Sequence, residues 1–502
     1  MEAFIESFSA GVDAVDSFVW GWALIWLLLG THLFMTIRTG FIQRKIPTAI
    51  KLSVSKTDPY AEGDISQFGA LTTALAATIG TGNIVGVATG FLCGGPGAIF
   101  WMWITGVFGI ATKYSETYIS MKYRVKDANG RMLGGAMYAL ERGFKCKPLG
   151  KLLAVLFALF TAIASFGIGA SVQSNSLAGA LTSTSLIPGA ADIPTWAIGL
   201  VVTVLVAIVI IGGLKSVSRV CEKLVPFMAI AYVACCLIII GINSQYFVEA
   251  VVTIVTCAFT GQAAFGGAVG AGIMLALQYG FKRGLFSNES GLGSAPLVAA
   301  GAISKNPARQ ALVSMSGTFW DTVIICAITG LMLVTSVLAS PDLMAIYNNT
   351  MLANNDLTYD TALGIFSGGA ALATACFETI PFFGPLVLAF GLITFTYSTM
   401  LGWSQYGDRA VTYLFGTKGV RPYQVLFLVF VFWGCIGGGD LVWNISDITN
   451  ALMAVPNCIA VLVLSGVIAK ETKYWVYENR LEEEDNTEIP TVGTVDLPAE
   501  AK

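Results

Sequence analysis

Charged side chains are scarce along the whole chain. They make up 12% of its 502 residues, whereas soluble domains carry about 25%. This deficit excludes an ordinary soluble protein and, with a mean hydropathy of +0.73, predicts an all-α polytopic protein in the lipid bilayer. The formal net charge of −3 is close to balance, so nothing indicates a nucleic-acid partner. No feature points to an obligate protein partner either.

Histidine and metal-binding patterns are almost missing. The one histidine, His32, lies in an apolar run, so a histidine proton relay or metal site is not expected. The 10 cysteines are scattered without a CxxC pair, and we interpret them as small packing residues. Nucleophile motifs are also missing, and the sequence therefore does not predict an enzyme.

Basic residues are absent from the first 37 positions. This excludes a cleavable signal peptide, because signal peptides begin with a basic region. The segment instead carries four acidic residues and then an apolar run from about 17 to 37. This pattern predicts a first membrane span that begins outside the cell.

Apolar runs predict eleven transmembrane helices. They cover about 17–37, 67–92, 97–121, 151–176, 194–214, 220–242, 246–282, 308–338, 384–411, 421–438 and 446–469. A short apolar piece near 361–378 is isolated by Gly and Pro, and we interpret it as a surface helix in the outer loop 340–383.

The basic residues predict the orientation of these spans. With the N-terminus outside, every Lys and Arg except Lys113 lies in a predicted cytoplasmic segment, and Lys113 lies near the inner end of the third span. Lys282, Arg283 and the following Glu289 are assigned to the cytoplasm in this way. The chain is thus expected in the inner (plasma) membrane with a cytoplasmic C-terminus, whose acidic stretch "LEEEDNTE" is predicted to be disordered.

Two predicted helices are interrupted by glycine-rich stretches. The second span contains "TIGTGN", and the seventh contains "FTGQAAFGGAVGAG" from Phe259 to Gly272. Four spans lie between them and four follow, which predicts two five-helix repeats of opposite orientation. The chain then divides into an N-terminal segment with the first helix and a linker (1–66), two inverted repeats (67–242 and 243–470) and a cytoplasmic tail (471–502).

Broken helices at matching positions of inverted halves indicate a secondary-transporter site near mid-membrane. Unwinding frees backbone amides that suit a carboxylate and carbonyls that suit a hard cation such as Na⁺. Unpaired, these groups would each cost several kcal/mol in lipid, roughly as any buried polar group does. The alternative is that the glycines only permit close helix packing. Polar residues in both breaks favour the site.

Polar residues at the breaks and on neighbouring helices are the candidate site residues. They are Thr78, Thr81 and Asn83 in the second span, Gln173 in the fourth, Thr260 and Gln262 in the seventh, and Thr394, Thr396, Ser398 and Thr399 in the ninth. Hydroxyls within helices often bond only to their own helix. Asp321 is an acid well inside a span, and such acids are functional by default. Asp447 lies nearer the outer end, where a gate or a surface position fits it.

Four motifs resemble those of the alanine or glycine:cation symporter family, the sodium:alanine symporters. They are "ATIGTGNIVGVATG", "GGPGAIFWMWITGVFGIATKYSE", "FKRGLFSNESGLGSAP" and "STMLGWSQYGDRA", which spread across 67–470. The resemblance implies a LeuT-type fold, in which a ten-helix core of 5+5 inverted repeats is preceded here by one extra N-terminal helix.

The resemblance also implies ion sites. "ATIGTGN" is similar to the broken first helix of LeuT-type transporters, and on that pattern one Na⁺ contacts four groups. These are the carbonyls of Ala76 and Ile79 and the hydroxyls of Ser398 and Thr399. A second Na⁺ would use Thr78, Asn83, Thr260 and the substrate carboxylate. The pattern expects an asparagine in the eighth span, where this chain offers Asp321 or Thr322.

The function that the resemblance implies is Na⁺-coupled uptake of a small neutral amino acid, alanine or glycine, by alternating access. The substrate carboxylate would meet the amides of Gly80, Thr81 and Gly82. The expected side-chain contacts are Thr78, Asn83, Gln173, Gln262 and Thr394 as polar groups, with Phe166, Phe259 and Trp403 as walls. The alternative is an H⁺-coupled or uncoupled transporter of the same fold, with Asp321 as the group that would take a proton.

Overall fold

The computed structural model describes residues 11–12, 14–15, 18–56, 61–183, 192–260, 272–354, 362–437 and 440–492. Apart from the antiparallel hairpin β1 (Val125–Lys126) and β2 (Met132–Leu133), its regular elements are helices. The first half contains α1 (Trp22–Arg38), α2 (Ile46–Ser53), α3 (Gln67–Thr78), α4 (Val87–Gly94), α5 (Pro96–Lys122), α6 (Ala136–Gly143), α7 (Lys147–Ala164), α8 (Val172–Ser183), α9 (Thr195–Ile210) and α10 (Gly213–Ile242). The second half contains α11 (Phe247–Thr260), α12 (Ile273–Asn288), α13 (Ala295–Ala299), α14 (Pro307–Thr318), α15 (Ala327–Ala339), α16 (Pro341–Asn354), α17 (Ala362–Glu378), α18 (Phe383–Phe415), α19 (Val420–Gly437), α20 (Asp440–Val463) and α21 (Ser465–Thr472).

Several helices are suited to a membrane. Within the described ranges, six are long and apolar enough to cross one, and two bent pairs would raise the number to eight. Helix α9 and helix α10 expose large apolar side chains, such as Ile208 (68%) and Phe227 (64%), as lipid-facing helices do. The count of eleven spans stays a prediction.

The helices pack around two that lie at the centre of the bundle. Helix α5 packs against α12 and α14, and helix α18 packs against α3, α8 and α10. The N-terminal helix α1 lies outside this core, against α5 and α20. The broken helix α3–α4 is thereby held between the two central helices.

The break that faces the first one lies at 289–294. Its predicted position, within Phe259–Gly272, is wrong. Helix α12 runs unbroken from Ile273 to Asn288, and its end meets the first break. Residues 261–271, which include Gln262, lie outside the described residues. Glycine content misled the prediction, because the true break contains only two glycines, Gly291 and Gly293.

The sequence predicts a cytoplasmic loop that contains Lys282, Arg283 and Glu289; the structure contradicts the loop, and the side of the membrane stays a prediction. All three lie on or directly after α12, within the bundle. The Lys282 Nζ atom lies 3.6 Å from Asp447 Oδ2 and 5.4 Å from the ring centroid of Trp20. The loops after α5 and α13 form what we call the basic end of the molecule, where Arg124 and Lys126 lie. The contacts of Lys282 lie on the other side of the second break from this end. A carboxylate partner distant in sequence makes this burial of Lys282 feasible.

The piece near 361–378 is a helix, α17, but it is not a surface helix. It packs against α4 and against the turn that precedes α4. The side chains of Leu372, Cys376 and Phe377 are fully buried. Its apolar residues therefore cover the end of the broken helix that lies away from the basic end.

The acidic tail is ordered over its described part, contrary to the prediction. After the helical turn Lys473–Tyr477, residues 478–492 run across the basic end. The Val492 amide donates to the carbonyl of Lys126, and the Lys126 amide donates to the carbonyl of Pro490. The tail thus adds backbone pairing beside β1 instead of remaining unpaired.

Candidate functional site

The first helix break is centred on Gly80. Helix α3 begins after Ser66, whose hydroxyl caps it by accepting from the Gly69 amide at 2.8 Å. It ends at Thr78 because Ile79 is extended (ψ 92°), and the helix that resumes is bent by 56°. The break therefore presents carbonyls from the end of α3 and first-turn amides from the helix that follows.

The second break faces the first one directly. Its residues Glu289, Gly291 and Gly293 have positive φ angles of 53°, 91° and 79°, which end α12 and turn the chain toward α13. A Cβ added to Gly82 would lie 3.4 Å from Phe286 Cδ1 and 3.5 Å from the Cα atom of Ser287. The first break thus contacts the last turn of α12, which leads directly into the second break.

An ion pair on α5 fixes the second break. Lys113 Nζ lies 3.1 Å from Glu116 Oε1 and donates to the main-chain oxygen of Glu289 at 3.0 Å. Glu116 Oε2 accepts from the Gly291 amide at 3.0 Å and from Asn457 Nδ2 at 2.8 Å. Buried charges are here satisfied by each other and by unwound backbone, as stable burial requires.

Asn83 connects the first break to Asp321. Its Oδ1 atom accepts from the Gly80 amide at 2.9 Å, and its Nδ2 atom donates to Asp321 Oδ1 at 2.7 Å. The other carboxylate oxygen of Asp321 accepts from Ser287 at 2.9 Å and from Thr322 at 2.6 Å. Asp321 is fully buried, and these donors replace the water that it has lost.

Helix α18 reaches the end of α3 through Thr399. Its hydroxyl lies 3.1 Å from the carbonyl oxygen of Ala76 and also donates to its own helix at Phe395. The Ser398 hydroxyl, in turn, donates to the Phe395 carbonyl at 2.9 Å. Gly402 permits this approach, since a Cβ there would lie 2.7 Å from the Cβ and the amide nitrogen of Ala77.

A small cavity of about 20 Å³ lies between the breaks. It is lined by Ala77, Thr78, Gly80, Thr81, Gly82, Ile168, Gln173, Phe286, Glu289, Thr399, Trp403 and Asn450. Within the described part of the chain, Gln173 Oε1, Asn450 Oδ1 and Thr81 Oγ1 are buried without a hydrogen-bond partner. A cavity of this size holds about one water molecule, so a larger guest must displace its walls.

Most of the predicted residues meet here. Those that line the cavity are Thr78, Gly80, Thr81, Gly82, Gln173, Thr399 and Trp403. Those that lie beside it are Ala76, Ile79, Asn83, Asp321 and Ser398. The structure brings these together from four separate helices.

Four predicted residues lie elsewhere. Phe259 is 54% exposed and packs on Trp101, and the hydroxyl of Thr260 donates to its own helix at Thr256. Their helix, α11, precedes the segment that reaches the cavity. Thr394 also bonds to its own helix, at Phe390, and Phe166 packs against Tyr423 and Phe430 outside the lining. We correct these assignments accordingly.

Sequence reasoning missed Phe286, Ser287, Glu289 and Asn450. The first three belong to "FSNESGLGSAP", whose run of Ser, Asn and Gly inside an apolar region is itself a signal of non-helical backbone. Asn450 carries no such signal, because one amide within a helix is more often a packing residue. Only its position against the breaks marks it as a site residue.

Known proteins resemble this chain along nearly its whole length. The profile of the sodium:alanine symporter family matches residues 5–489. The sodium/alanine symporter AgcS of Methanococcus maripaludis is 49% identical over 465 residues, which are 92% of this chain and 96% of that protein. The probable sodium/glutamine symporter GlnT of Bacillus subtilis is 32% identical over 473 residues, 93% and 91% of the two chains.

A solved structure shows the same fold. The crystal structure of MhsT in complex with L-phenylalanine superposes with a TM-score of 0.53 at 13% identity, covering 83% of this chain and 95% of that one. The LeuT-type fold predicted from the sequence is confirmed by this likeness, and the chain is a multi-pass membrane transporter rather than an enzyme. On the profile and the relatives together, the chain belongs to the sodium:alanine symporter family.

Proposed function

We propose that the protein couples Na⁺ entry to the uptake of a small neutral amino acid, alanine or glycine, by alternating access. The observation that carries this proposal is that two helix breaks line one cavity with unpaired polar groups. The name of the archaeal relative, a sodium/alanine symporter, agrees with it. The proposal includes two inverted repeats at 67–242 and 243–470 and an outside N-terminus.

The substrate carboxylate binds the amides of Gly80, Thr81 and Gly82 in this proposal. These amides lie at the start of the helix that follows the first break, where first-turn N–H groups have no carbonyl partner within their own helix and the dipole favours an anion. Phe286, Trp403 and Ile168 narrow the cavity around the substrate side chain. The small volume favours a methyl group or a hydrogen over larger side chains.

The bond between the Gly80 amide and Asn83 Oδ1 supplies a physical route to coupling. A carboxylate takes the Gly80 amide and leaves Asn83 Oδ1 without its donor. A Na⁺ takes Asn83 Oδ1 and leaves the amide without its acceptor. Each ligand alone leaves one buried group unpaired, whereas both together satisfy the two groups and contact each other. Each ligand therefore raises the affinity for the other by the same factor.

A first Na⁺ binds the carbonyls of Ala76 and Ile79 with the hydroxyls of Ser398 and Thr399. The 3.1 Å approach of Thr399 to Ala76 supports this set, and hard oxygen ligands suit such an ion. In binding, the hydroxyls turn their lone pairs to the ion and keep their bonds to Phe395.

A second Na⁺ binds near Thr78, Asn83 and Asp321. Ser287 replaces Thr260 in this set, because Ser287 reaches Asp321 and Thr260 does not. Asn83, Ser287 and Thr322 all donate to the Asp321 carboxylate and hold it beside this set.

The double variant Ser398→Ala with Thr399→Ala tests the proposal. We expect it to lose Na⁺-driven alanine uptake in proteoliposomes, because two of the four oxygens of the first site are gone. The measurement is alanine counterflow with and without Na⁺, beside a thermal melt that verifies folding. Unchanged Na⁺ dependence would refute the ion site, and Na⁺-independent counterflow by the wild type would indicate an uncoupled or H⁺-coupled carrier.

A further inference from the structure

A second cavity, of about 650 Å³, lies beside the β1–β2 hairpin at the basic end of the molecule. Its wall is formed by the last turns of α18, the start of α19 and the turn from α9 to α10. Three of its lining side chains are apolar, and the other lining residues are polar, charged or glycine. Small-molecule sites usually measure about 300–1,000 Å³, so the cavity has room for a polar ligand of that kind. None of the described residues lines both this cavity and the one between the breaks.

Arg409 is a buried cation in this wall, and its guanidinium forms no hydrogen bond with the residues that the structure describes. Its side chain is 2% exposed, and its Nη2 atom lies 3.9 Å from Asp64 Oδ2, which is too far for a hydrogen bond. That carboxylate oxygen already accepts from the Met132 amide at 2.9 Å. A guanidinium removed from water needs acceptor oxygens, and its planar donors match those of a carboxylate or a phosphate best.

The start of α10 adds backbone donors to the same wall. This helix of 30 residues begins at Gly213, and no described side chain caps it there. Residues 211–215 line the cavity. The first-turn amides of a helix have no carbonyl partner within it, and the helix dipole favours an anion at this end. The cavity therefore offers an anion both a buried guanidinium and an uncapped helix start.

Two exposed cations, Lys215 and Arg421, lie at the mouth of the cavity. Among the described residues, neither has a carboxylate oxygen within 4.0 Å. Arg421 makes one long hydrogen bond, of 3.4 Å, from its Nη1 atom to Gln424 Oε1. The charges of both side chains are therefore available to a ligand that enters from the surface.

The charge balance of the cavity favours an anion with a single negative charge. Arg131, the fourth cation in the described wall, is paired with Asp127 at 2.7 Å. Asp64 and Asp408 also line the cavity. Against these three acids, the four cations keep an excess of one positive charge. A phosphodiester carries one negative charge, whereas a phosphate monoester carries about 1.5 to 2 at neutral pH.

The mouth of the cavity continues into a lipid-facing surface. Helix α9 exposes Ile208 and Ile211, and helix α19 exposes Val425. The two helices are joined beside the cavity, where Gln424 Nε2 donates to the Ile210 carbonyl at 3.2 Å. Acyl chains that lie on this surface would place a headgroup at the mouth without leaving the bilayer.

We propose that this cavity binds the phosphodiester headgroup of an anionic phospholipid. Arg409 and the first amides of α10 bind the phosphate oxygens, and Lys215 and Arg421 attract the headgroup at the mouth. Anionic lipids give the cytoplasmic leaflet its negative surface potential, and the basic residues predict that this end of the molecule lies on that side. The inference goes beyond the transport function, because it assigns a lipid site outside the cavity between the breaks.

The first arm of the test uses the wild-type full chain in an uncharged detergent, without Na⁺ or amino acid, so that its result does not depend on transport. Native mass spectrometry measures the binding of phosphatidylglycerol and of phosphatidylcholine with the same acyl chains. Both lipids contain a phosphodiester, but the choline group cancels its charge. We expect one phosphatidylglycerol to bind at least about 10-fold more tightly, because each nearby Lys or Arg strengthens binding of the anionic lipid. Equal affinities for the two lipids would overturn the site.

The second arm compares the double variant Lys215→Gln with Arg421→Gln and the matched control Arg219→Gln with Lys223→Gln. The control also removes one Lys and one Arg, from exposed positions of α10 that do not line the cavity. We expect the cavity variant to bind phosphatidylglycerol about 10- to 30-fold more weakly and the control to bind it like the wild type. Equal binding by the two variants would reduce the effect to a general surface attraction and overturn the site.

The third arm tests the buried wall and the source of the phosphate. Arg409→Lys keeps the charge but loses the planar donors, so it should weaken phosphatidylglycerol binding about 10-fold. Wild-type affinity in this variant would overturn the role of Arg409, and if it does not fold, the exposed variants decide. Thermal melts in inorganic phosphate without lipid should show no stabilisation. Stabilisation that the cavity variant lacks, without a preference for phosphatidylglycerol, would make the ligand a soluble phosphate and overturn the lipid site.

Discussion

Asn83 on the broken helix and Thr394 on a neighbouring helix use their polar atoms differently. The Asn83 amide spans from the Gly80 amide to Asp321, so both its polar atoms serve the site. The Thr394 hydroxyl donates to its own helix at Phe390, 2.7 Å away, and lines no part of the cavity. The sequence marks both as candidates, because it does not show which face of a helix meets the break.

Replacing Asn83 with alanine should weaken alanine binding by about 10- to 100-fold, since Gly80 and Asp321 each lose a partner. The affinity for Na⁺ should fall with it, because the proposed coupling uses the same amide oxygen. Equilibrium binding of alanine across a range of Na⁺ concentrations measures both effects. Thr394→Val, close in shape, is the control and should bind like the wild type. Normal binding by Asn83→Ala would show that the bond to Gly80 plays no part in coupling.

At the scale of elements, the first break was predicted correctly, whereas the second was assigned to the wrong stretch although "FSNESGLGSAP" carries its own signal of non-helical backbone. "TIGTGN" interrupts an otherwise apolar helix with two glycines and three polar residues, and the structure bends there by 56°. The glycine-rich stretch after Phe259 gave the stronger sequence signal for the second break. The break that faces the first is instead made by Glu289 in a left-handed conformation, supported by Lys113 and Glu116 from another helix. Support from another element leaves no local trace in the sequence.

The close packing of α18 on α3 depends on Gly402. We expect Gly402→Ala to raise the Na⁺ concentration needed for half-maximal uptake about tenfold, because a Cβ 2.7 Å from Ala77 must push the helices apart. That separation moves Thr399 away from Ala76. Gly179→Ala is the control, as a Cβ there meets nothing within 4 Å. Equal Na⁺ dependence in the two variants would contradict the proposed ion site.

At the scale of the whole molecule, the tail joins parts that are distant in sequence. Glu482 lies 2.5 Å from Arg309 Nη1, and Asn306 donates to the tail carbonyls of Leu481 and Glu483. Arg309 also donates to Gln67, the first residue of α3, and to Ser55. The tail, the first turn of α14 and the start of the broken helix therefore form one connected group at the basic end. Composition alone predicted disorder, because it does not show the partners of Glu482 or of the tail backbone.

The Glu482 carboxylate makes this docking sensitive to acid. Partial burial opposes ionisation, but the hydrogen bonds from Arg309 and Lys305 outweigh it and hold the pKa of Glu482 below its usual range. A folded-state pKa below the unfolded value stabilises docking above that unfolded value, about 4.3 for glutamate. The stabilisation is lost as the pH falls through the folded-state pKa. Because the side chain is largely exposed, salt should weaken the pair as well.

Glu482→Gln should therefore loosen the basic end without unfolding the protein. We expect faster hydrogen exchange at pH 7 in residues 61–67 and 304–309, because Arg309 loses the partner that orients it toward Gln67. Glu488→Gln is the matched control, since Glu488 lies in the same stretch and no described residue forms an ion pair with it. Hydrogen exchange with mass spectrometry at low and high salt makes the measurement, and salt should raise exchange in the wild type toward that of Glu482→Gln. If both variants exchange like the wild type, the Glu482 pair is a surface contact, and the hydrogen bonds of Asn306, Lys305 and Lys126 with the tail backbone hold the tail.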